Sequence, residues 1–199
     1  MPDNNALPPA LAGLRVADFS HFIAGPMCTL SLADMGADVI KIENTAAGDD
    51  FRRFPPMVEG QSSPFLWANR NKRGIALDLK NPDAIRVARD LIASADILVE
   101  NFTTGVMERF GLGYPEMAAL NPRLIYCSVS AYGRNGPFAD RAGFDPMIQA
   151  ETGFMSLNGF PDGPPMRTGP AVMDISTGLM ATIAVMGALA ARQTNGKGQ

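Results

Sequence analysis

One histidine, His21, is all the imidazole this 199-residue sequence contains, and its two cysteines, Cys28 and Cys127, lie far apart. A His/Cys zinc site needs three or four such ligands, so no metal centre of that kind is expected. A Ser-His-Asp triad would have to be built on His21, and no G-x-S-x-G elbow is present to carry its serine. No G-x-G-x-x-G follows the first expected strand, which argues against a dinucleotide cofactor. The cysteines sit among apolar residues and read as buried thiols rather than a disulfide. A large charge excess is lacking too. The formal net charge is -3, so nothing at whole-chain level points to nucleic acid or an anionic membrane. The first nine residues are polar and proline-containing, without the basic flank and apolar core of a signal peptide. The longest uncharged apolar run, Leu179 to Ala191, reads as too short to span a bilayer. With 46% hydrophobic and 19% charged residues, the composition is that of a globular, cytoplasmic protein. What remains for chemistry is mainly carboxylates.

What is present is a regular alternation. Residues 14–19 alternate as a short strand ending in Ser20 and His21. Gly25-Pro26 opens a helix expected over 27–35, with the proline at an N1-like position and Gly36 closing it. Strand 38–43 follows, and a strand-helix-strand unit of this length implies a parallel pair with a right-handed crossover. The stretch 44–61 reads as a polar excursion, followed by a short helix over 64–68. Strand 74–79, helix 81–94, strand 96–99, helices 106–110 and 115–120, and strand 123–129 come next. Residues 132–146 are loop-like, a helix is expected over 146–153, and a long helix over 175–192. Strands alternating with helices predict an α/β fold with a doubly wound parallel sheet and flanking helices. An N-terminal arm, 1–13, is expected ahead of 14–199, which reads as one large domain or part of a larger one. The last residues, 193–199, read as a turn that delivers the chain to no further element.

In such sheets ligands gather outside the carboxyl ends of the strands. That places Ser20 and His21, Glu43 and Asn44, Glu100-Asn101-Phe102, and Ser130-Ala131-Tyr132 on one edge. The helix start at Gly25-Pro26 would offer free backbone N–H groups to a phosphate. Asn71-Lys72-Arg73 is a compact cationic cluster, for which a solvated edge competes with phosphate binding. His21 is balanced between a structural and a site role. Asp174, after a Gly-Pro turn and before the long apolar helix, has the identity and position of an N-cap. A helix N-terminus also favours an ionised carboxylate, so capping and chemistry are compatible there.

Five segments, 18–43, 69–80, 95–113, 121–137 and 167–178, resemble class III CoA-transferases of the CaiB/BaiF family in order and spacing. The family also contains α-methylacyl-CoA racemase. The resemblance covers nearly the whole chain and corresponds to the N-terminal half of the family's subunit. It implies a Rossmann-like domain that holds CoA, incomplete relative to the full family fold and ending before a small second domain. It also implies a homodimer of interlocked subunits, and coenzyme A or acyl-CoA as substrate with no permanently bound cofactor. Asp174 matches the family's aspartate nucleophile. His21, Ile23 and Ala24 match the CoA and active-site segment after the first strand. Asn44, Lys72, Arg73, Asn101, Phe102 and Arg109 match CoA-contacting positions, and Tyr132 matches a tyrosine that lines the site.

The implied activity is transfer of CoA from an acyl-CoA to a carboxylic acid, through an aspartyl anhydride and an aspartyl-CoA thioester. Three positions depart from the formyl-CoA:oxalate pattern: Ile23 replaces a glutamine, Asn44 an arginine and Ser130 a lysine. Their loss favours a larger or more apolar acyl group than oxalate. In the racemase branch a histidine acid/base occupies the position of Phe144, and a phenyl ring cannot move a proton. Transferase is therefore favoured over racemase. A third reading, from a different class, is a truncated CoA-binding fragment without catalysis.

Overall fold

The computed structural model describes residues 7–199. In chain order the elements are β1 (Arg15–Asp18), α1 (Ala24–Asp34), β2 (Asp38–Glu43) and a 3-10 turn (Asp50–Arg53). A small hairpin of β3 (Met57–Val58) and β4 (Gln61–Ser62) leads to α2 (Ser63–Asn69), β5 (Arg73–Ala76) and α3 (Pro82–Ala93). Then come β6 (Ile97–Glu100), α4 (Val106–Arg109), α5 (Tyr114–Leu120) and β7 (Ile125–Ser128). The chain continues through α6 (Asp145–Glu151), a second 3-10 turn (Phe154–Leu157) and α7 (Val172–Asn195).

Five strands form one sheet in the order β5-β2-β1-β6-β7, and every pairing in it is parallel. Winding runs outward from β1 to β5, then jumps back across β1 to β6 and β7. The doubly wound α/β fold expected from the alternation is therefore present, with its topological switch point between β1 and β6. Successive strand residues face opposite layers. Val16 and Val99 join Cys28, Leu32, Val185 and Leu189 under α1 and α7. Ala17 and Leu98 join Ile92, Leu112 and Met117 under α3 and α5. All four residues of β6 are buried, as a strand covered on both faces requires.

Several expected boundaries move. Helix α1 begins at Ala24, so Pro26 is its third residue rather than its first. Gly36, at φ 99°, ends that helix as expected, and a left-handed residue there favours glycine. The excursion over 44–61 contains a 3-10 turn and the β3-β4 hairpin. Of the expected N-terminal arm, residues 1–6 lie outside the described residues. Of residues 7–13 only Leu11 is buried, and its N–H donates to the Met35 carbonyl at 2.9 Å.

Two differences concern the C-terminal part. Helix α7 is longer at both ends than its apolar core suggested. The whole 24-residue helix, unlike the apolar run within it, is long and apolar enough to cross a membrane by length and composition. Here the helix lies against α1, with Val185, Ala188 and Leu189 in the core. The expected closing turn does have a destination. Gly198 donates to the Pro122 carbonyl and the Tyr126 N–H to Gln199, both at 2.9 Å, so residues 198–199 run beside β7.

Candidate active site

The position of Asp174 follows from a glycine one helical turn later. A Cβ on Gly178 would sit 2.7 Å from both the Ala24 carbonyl oxygen and the Met27 Cβ. Glycine there lets α7 cross α1 almost backbone to backbone, and Asp174, four residues earlier on the same face, is brought to the start of α1. That start is itself set by a second close approach. A Cβ on Gly25 would lie 2.3 Å from the Ser20 Cβ, so glycine allows α1 to begin directly over the end of β1. Ile23, the residue ahead of α1, provides no side-chain cap. The Ala24 and Gly25 N–H groups are therefore left without a side-chain cap beside the cleft that Ile23, Ala24 and Asp174 line, and Pro26 has no N–H to satisfy.

Asp174 is not the cap of α7, contrary to the sequence expectation. The helix starts at Val172, Ala171 precedes it, and Asp174 is its third residue. The cap comes from another element. Oδ2 of Asp145, the first residue of α6, accepts from the Met173 N–H at 2.7 Å and from the Asp174 N–H at 3.2 Å. The expected electrostatics are also reversed. Partial burial, reinforced by the neighbouring Asp145 charge, pushes the Asp174 carboxyl up to about 6. Among the described residues no group donates a hydrogen bond to its side chain. The result is a basic, unpartnered carboxylate that is still mostly ionised at neutral pH.

Two adjoining clefts share His21 and Phe102 at the carboxyl edge of the sheet. One, of about 390 Å³, lies over the ends of β2 and β5 and is lined by Asn44, Asp49, Leu77 and Lys80 among others. The other, of about 270 Å³, holds Asp174 together with Ile23, Ala24, Asn101, Arg134, Arg141 and Phe144. Asn101 ties the two sides of the switch point together. Its Oδ1 accepts from the His21 N–H and its Nδ2 donates to the His21 carbonyl, both at 2.8 Å. The His21 ring packs against Phe102 and Phe22, with centroids at 5.1 and 5.5 Å. Burial outweighs the nearby Asp49 charge and lowers the histidine's pKa, so the imidazole is neutral at pH 7. Phe22 extends the aromatic wall to Phe51, Phe54 and Phe144.

The cationic cluster expected at 71–73 is not one cluster in space. Asn71 reaches Asp34. The Lys72 side chain is 2% exposed, and its ammonium meets Asp18 Oδ2 at 3.1 Å, the Pro26 carbonyl and Asn69 Oδ1. Arg73 pairs with Asp38 at the opposite, amino-terminal end of the sheet. Burial alone would raise the Asp18 carboxyl, but Lys72, Lys41 and the Ser20 and Thr29 hydroxyls outweigh it and hold it at about 2. Asn44 spends its side chain on its own loop, accepting from the Ala46 and Ala47 N–H groups and donating to the Gly48 carbonyl. Exposed Arg109 closes the single turn of α4 and lines neither cleft. Tyr132 lines neither cleft, donating to Glu151 at 2.8 Å under the Arg141 guanidinium. Of the expected site residues, His21, Ile23, Ala24, Asn101, Phe102 and Asp174 share the smaller cleft. Asn44 joins His21 and Phe102 in the larger one.

Sequence reading missed the groups that hold this edge together. Arg134 binds Glu100 and the Phe102 carbonyl, each at 2.8 Å, so it fixes the loop after β6. Asp145 gave no signal beyond being an acid next to a proline. Buried Asp18 and Lys41 follow and sit within strands, where an ionisable residue in an apolar run was the available clue.

Comparison with known proteins agrees with this architecture. The chain is 45% identical over 198 residues to a protein of Agrobacterium fabrum named succinate–glutarate CoA-transferase, covering 96% of this chain and 50% of that one. It is 43% identical over 189 residues to a mouse protein named succinyl-CoA:glutarate CoA-transferase, covering 94% and 43% respectively. The crystal structure of a CaiB/BaiF family protein from Brucella suis superposes with a TM-score of 0.93 at 43% identity, over 97% of this chain and 52% of that one. The chain spans about half the length of these relatives. The family model for CoA-transferase family III matches residues 11–199, and the chain belongs to that family.

Proposed function

We propose that this chain forms the nucleophile-bearing, CoA-binding part of an enzyme that moves CoA from an acyl-CoA to a carboxylic acid. The observation that carries the reading is Asp174 itself: an unpartnered, half-buried carboxylate beside the uncapped start of α1, in a cleft that continues past His21 and Phe102 into a second one. The larger cleft would take the nucleotide and pantetheine arm, and the smaller one the thioester. Asp174 attacks the acyl carbonyl, the C–S bond breaks, and an acyl-aspartyl anhydride and CoA thiolate result. The thiolate then attacks the aspartyl carbonyl, giving an aspartyl-CoA thioester and releasing the donor carboxylate. An acceptor carboxylate reverses the two steps and leaves as its CoA thioester. Covalent catalysis of this kind splits a hard exchange into easier ones.

The N–H groups next to Asp174 are occupied by Asp145, which leaves the start of α1 as the donor set for the oxyanions. Charge on the α1 dipole supports the same assignment. For the acids, the names of the relatives favour short dicarboxylates. Arg141, 44% exposed on the cleft wall, supplies a cation for the far carboxylate, although it shares its charge with Glu151. Lys72 and Arg73 act on CoA only indirectly in this arrangement, because both side chains are paired within the protein.

A racemase reading is disfavoured by Phe144. It lines the cleft, is 57% exposed, and meets Phe22 edge-on at 5.7 Å, so an apolar ring stands where a proton carrier is needed. The division into an arm over 1–13 and the N-terminal part of a large domain belongs to the same proposal. So do the homodimer and the cytoplasmic location. Met180 and Ile183, each 61% exposed on α7, support burial of that face in the larger assembly.

Trapping tests the reading directly. The full-length protein, incubated with succinyl-CoA and hydroxylamine, should acquire a hydroxamate on Asp174 visible by peptide mass spectrometry. Asp174→Ala should lose acyl exchange by three orders of magnitude or more (roughly the cost of removing a covalent nucleophile). Solvent deuterium entering the α-carbon without acyl exchange would favour the racemase instead.

A further inference from the structure

We propose that Asp145 is the positioning residue of the Asp174 nucleophile: from α6 it caps α7, and so leaves the Asp174 carboxylate free to face the cleft. This rests on the transferase reading of the same site, and adds a residue that neither the motif reading nor the family match assigns.

The start of α7 must find acceptors for its first N–H groups. Ala171 has no side-chain oxygen to offer, and an acid in the first turn is the ordinary local substitute. Asp174 is that acid by sequence. Were its carboxylate to fold back onto the helix start, its lone pairs would be spent on amides and its reach into the cleft lost. Asp145 removes the need, since its Oδ2 takes the Met173 and Asp174 N–H groups at 2.7 and 3.2 Å. Asp145 is 5% exposed, and its other oxygen accepts from the Gln149 side-chain amide. Gln149 is fully buried, and its Oε1 accepts from the Thr168 N–H at 3.0 Å. One face of α6 thus straps the approach to α7 at 168 and its first turn at 173–174.

The same contact brings a second carboxylate close to the nucleophile. His21, Arg134 and Arg141 line the cleft with Asp174, yet the charge that acts on it is that of Asp145, added to burial. A more basic carboxylate is a stronger nucleophile toward a thioester, provided it remains ionised at working pH. Asp145 therefore has two separable roles, position and charge, and two substitutions part them. Asp145→Asn keeps an oxygen for the cap and deletes the charge. Asp145→Glu keeps the charge and displaces the oxygen.

Both readouts use the full-length protein: the pH profile of acyl exchange between succinyl-CoA and glutarate, and a ¹³C-carboxyl NMR titration of Asp174, which needs no turnover. In the unaltered protein the acid limb and the Asp174 titration should share a midpoint at about 6. Asp145→Asn should lower both midpoints. Asp145→Glu should leave the titration high while kcat falls about tenfold, the size of a lost cap contact expressed in the transition state. An Asp174 midpoint that stays near 6 in Asp145→Asn, or full turnover in Asp145→Glu, would overturn the proposal. Absence of exchange in the unaltered protein would instead refute the transferase reading, with the NMR titration still deciding the role of Asp145.

Discussion

Replacing Asp174 by asparagine should make the protein more stable at pH 8 and no more stable at pH 4. In the folded state the carboxyl titrates at about 6, against an ordinary value of 3.8. Because the folded-state pKa is raised, the stabilising linkage is fully present below about pH 4 and is lost as pH rises through 6. Above that, the folded chain carries an ionised group that is poorly solvated and beside Asp145. The displacement of about two units has an upper bound of about 3 kcal/mol. Asp174 keeps part of its surface in water, so screening reduces the cost to about 1–2 kcal/mol. Asparagine is nearly isosteric and cannot ionise, so it should recover that amount at pH 8. For a chain of this size the gain is a rise in Tm of about 2–8 °C. Thermal unfolding of both forms, followed by circular dichroism from pH 4 to 8, reads the difference directly. A constant Tm difference across the range, or a less stable asparagine form at pH 8, would refute the account of the site as a strained carboxylate. The same substitution removes the proposed nucleophile, so stability and activity should move in opposite directions.

Three further outcomes are expected. Gly178→Ala places a methyl group against the Ala24 carbonyl and Met27; chemical denaturation should show a loss of about 1–3 kcal/mol, with reduced turnover as α7 is pushed from α1. Lys72→Met strands the buried Asp18 carboxylate and should cost about 3–5 kcal/mol, more than any exposed ion-pair substitution such as Arg86→Met, in the same denaturation assay. Arg141→Gln should raise KM for glutarate about tenfold and leave KM for a monocarboxylate acceptor unchanged, in steady-state kinetics of acyl exchange.

Much of this molecule is legible in one dimension. Short apolar strands alternating with helices require a parallel sheet, because only crossover helices can cover both faces of strands such as β6. Gly36 marked a helix end by the backbone conformation it alone adopts cheaply. Polar residues directly after apolar runs marked the carboxyl edge of the sheet, which is why His21, Asn101 and Phe102 could be placed together before any coordinates. Asp174 stood out because it is the lone acid ahead of a long apolar helix.

Tertiary structure decided what these residues do to one another. The cations at 72 and 73 are adjacent in sequence, but Lys72 ends the loop before β5 and Arg73 begins the strand, and their carboxylate partners lie more than thirty residues away. The role of Asp174 turned on Asp145, 29 residues earlier, and nothing local distinguishes an acid that caps its own helix from one whose helix is capped by another. Its basicity is likewise a property of burial and of a neighbouring charge, both set by how α6 and α7 pack. Sequence determined which elements form and which residues gather at the carboxyl edge of the sheet, since periodicity and backbone preference are local. Packing alone decided which carboxylate is free and how readily it gives up its proton, since desolvation and charge coupling act through space.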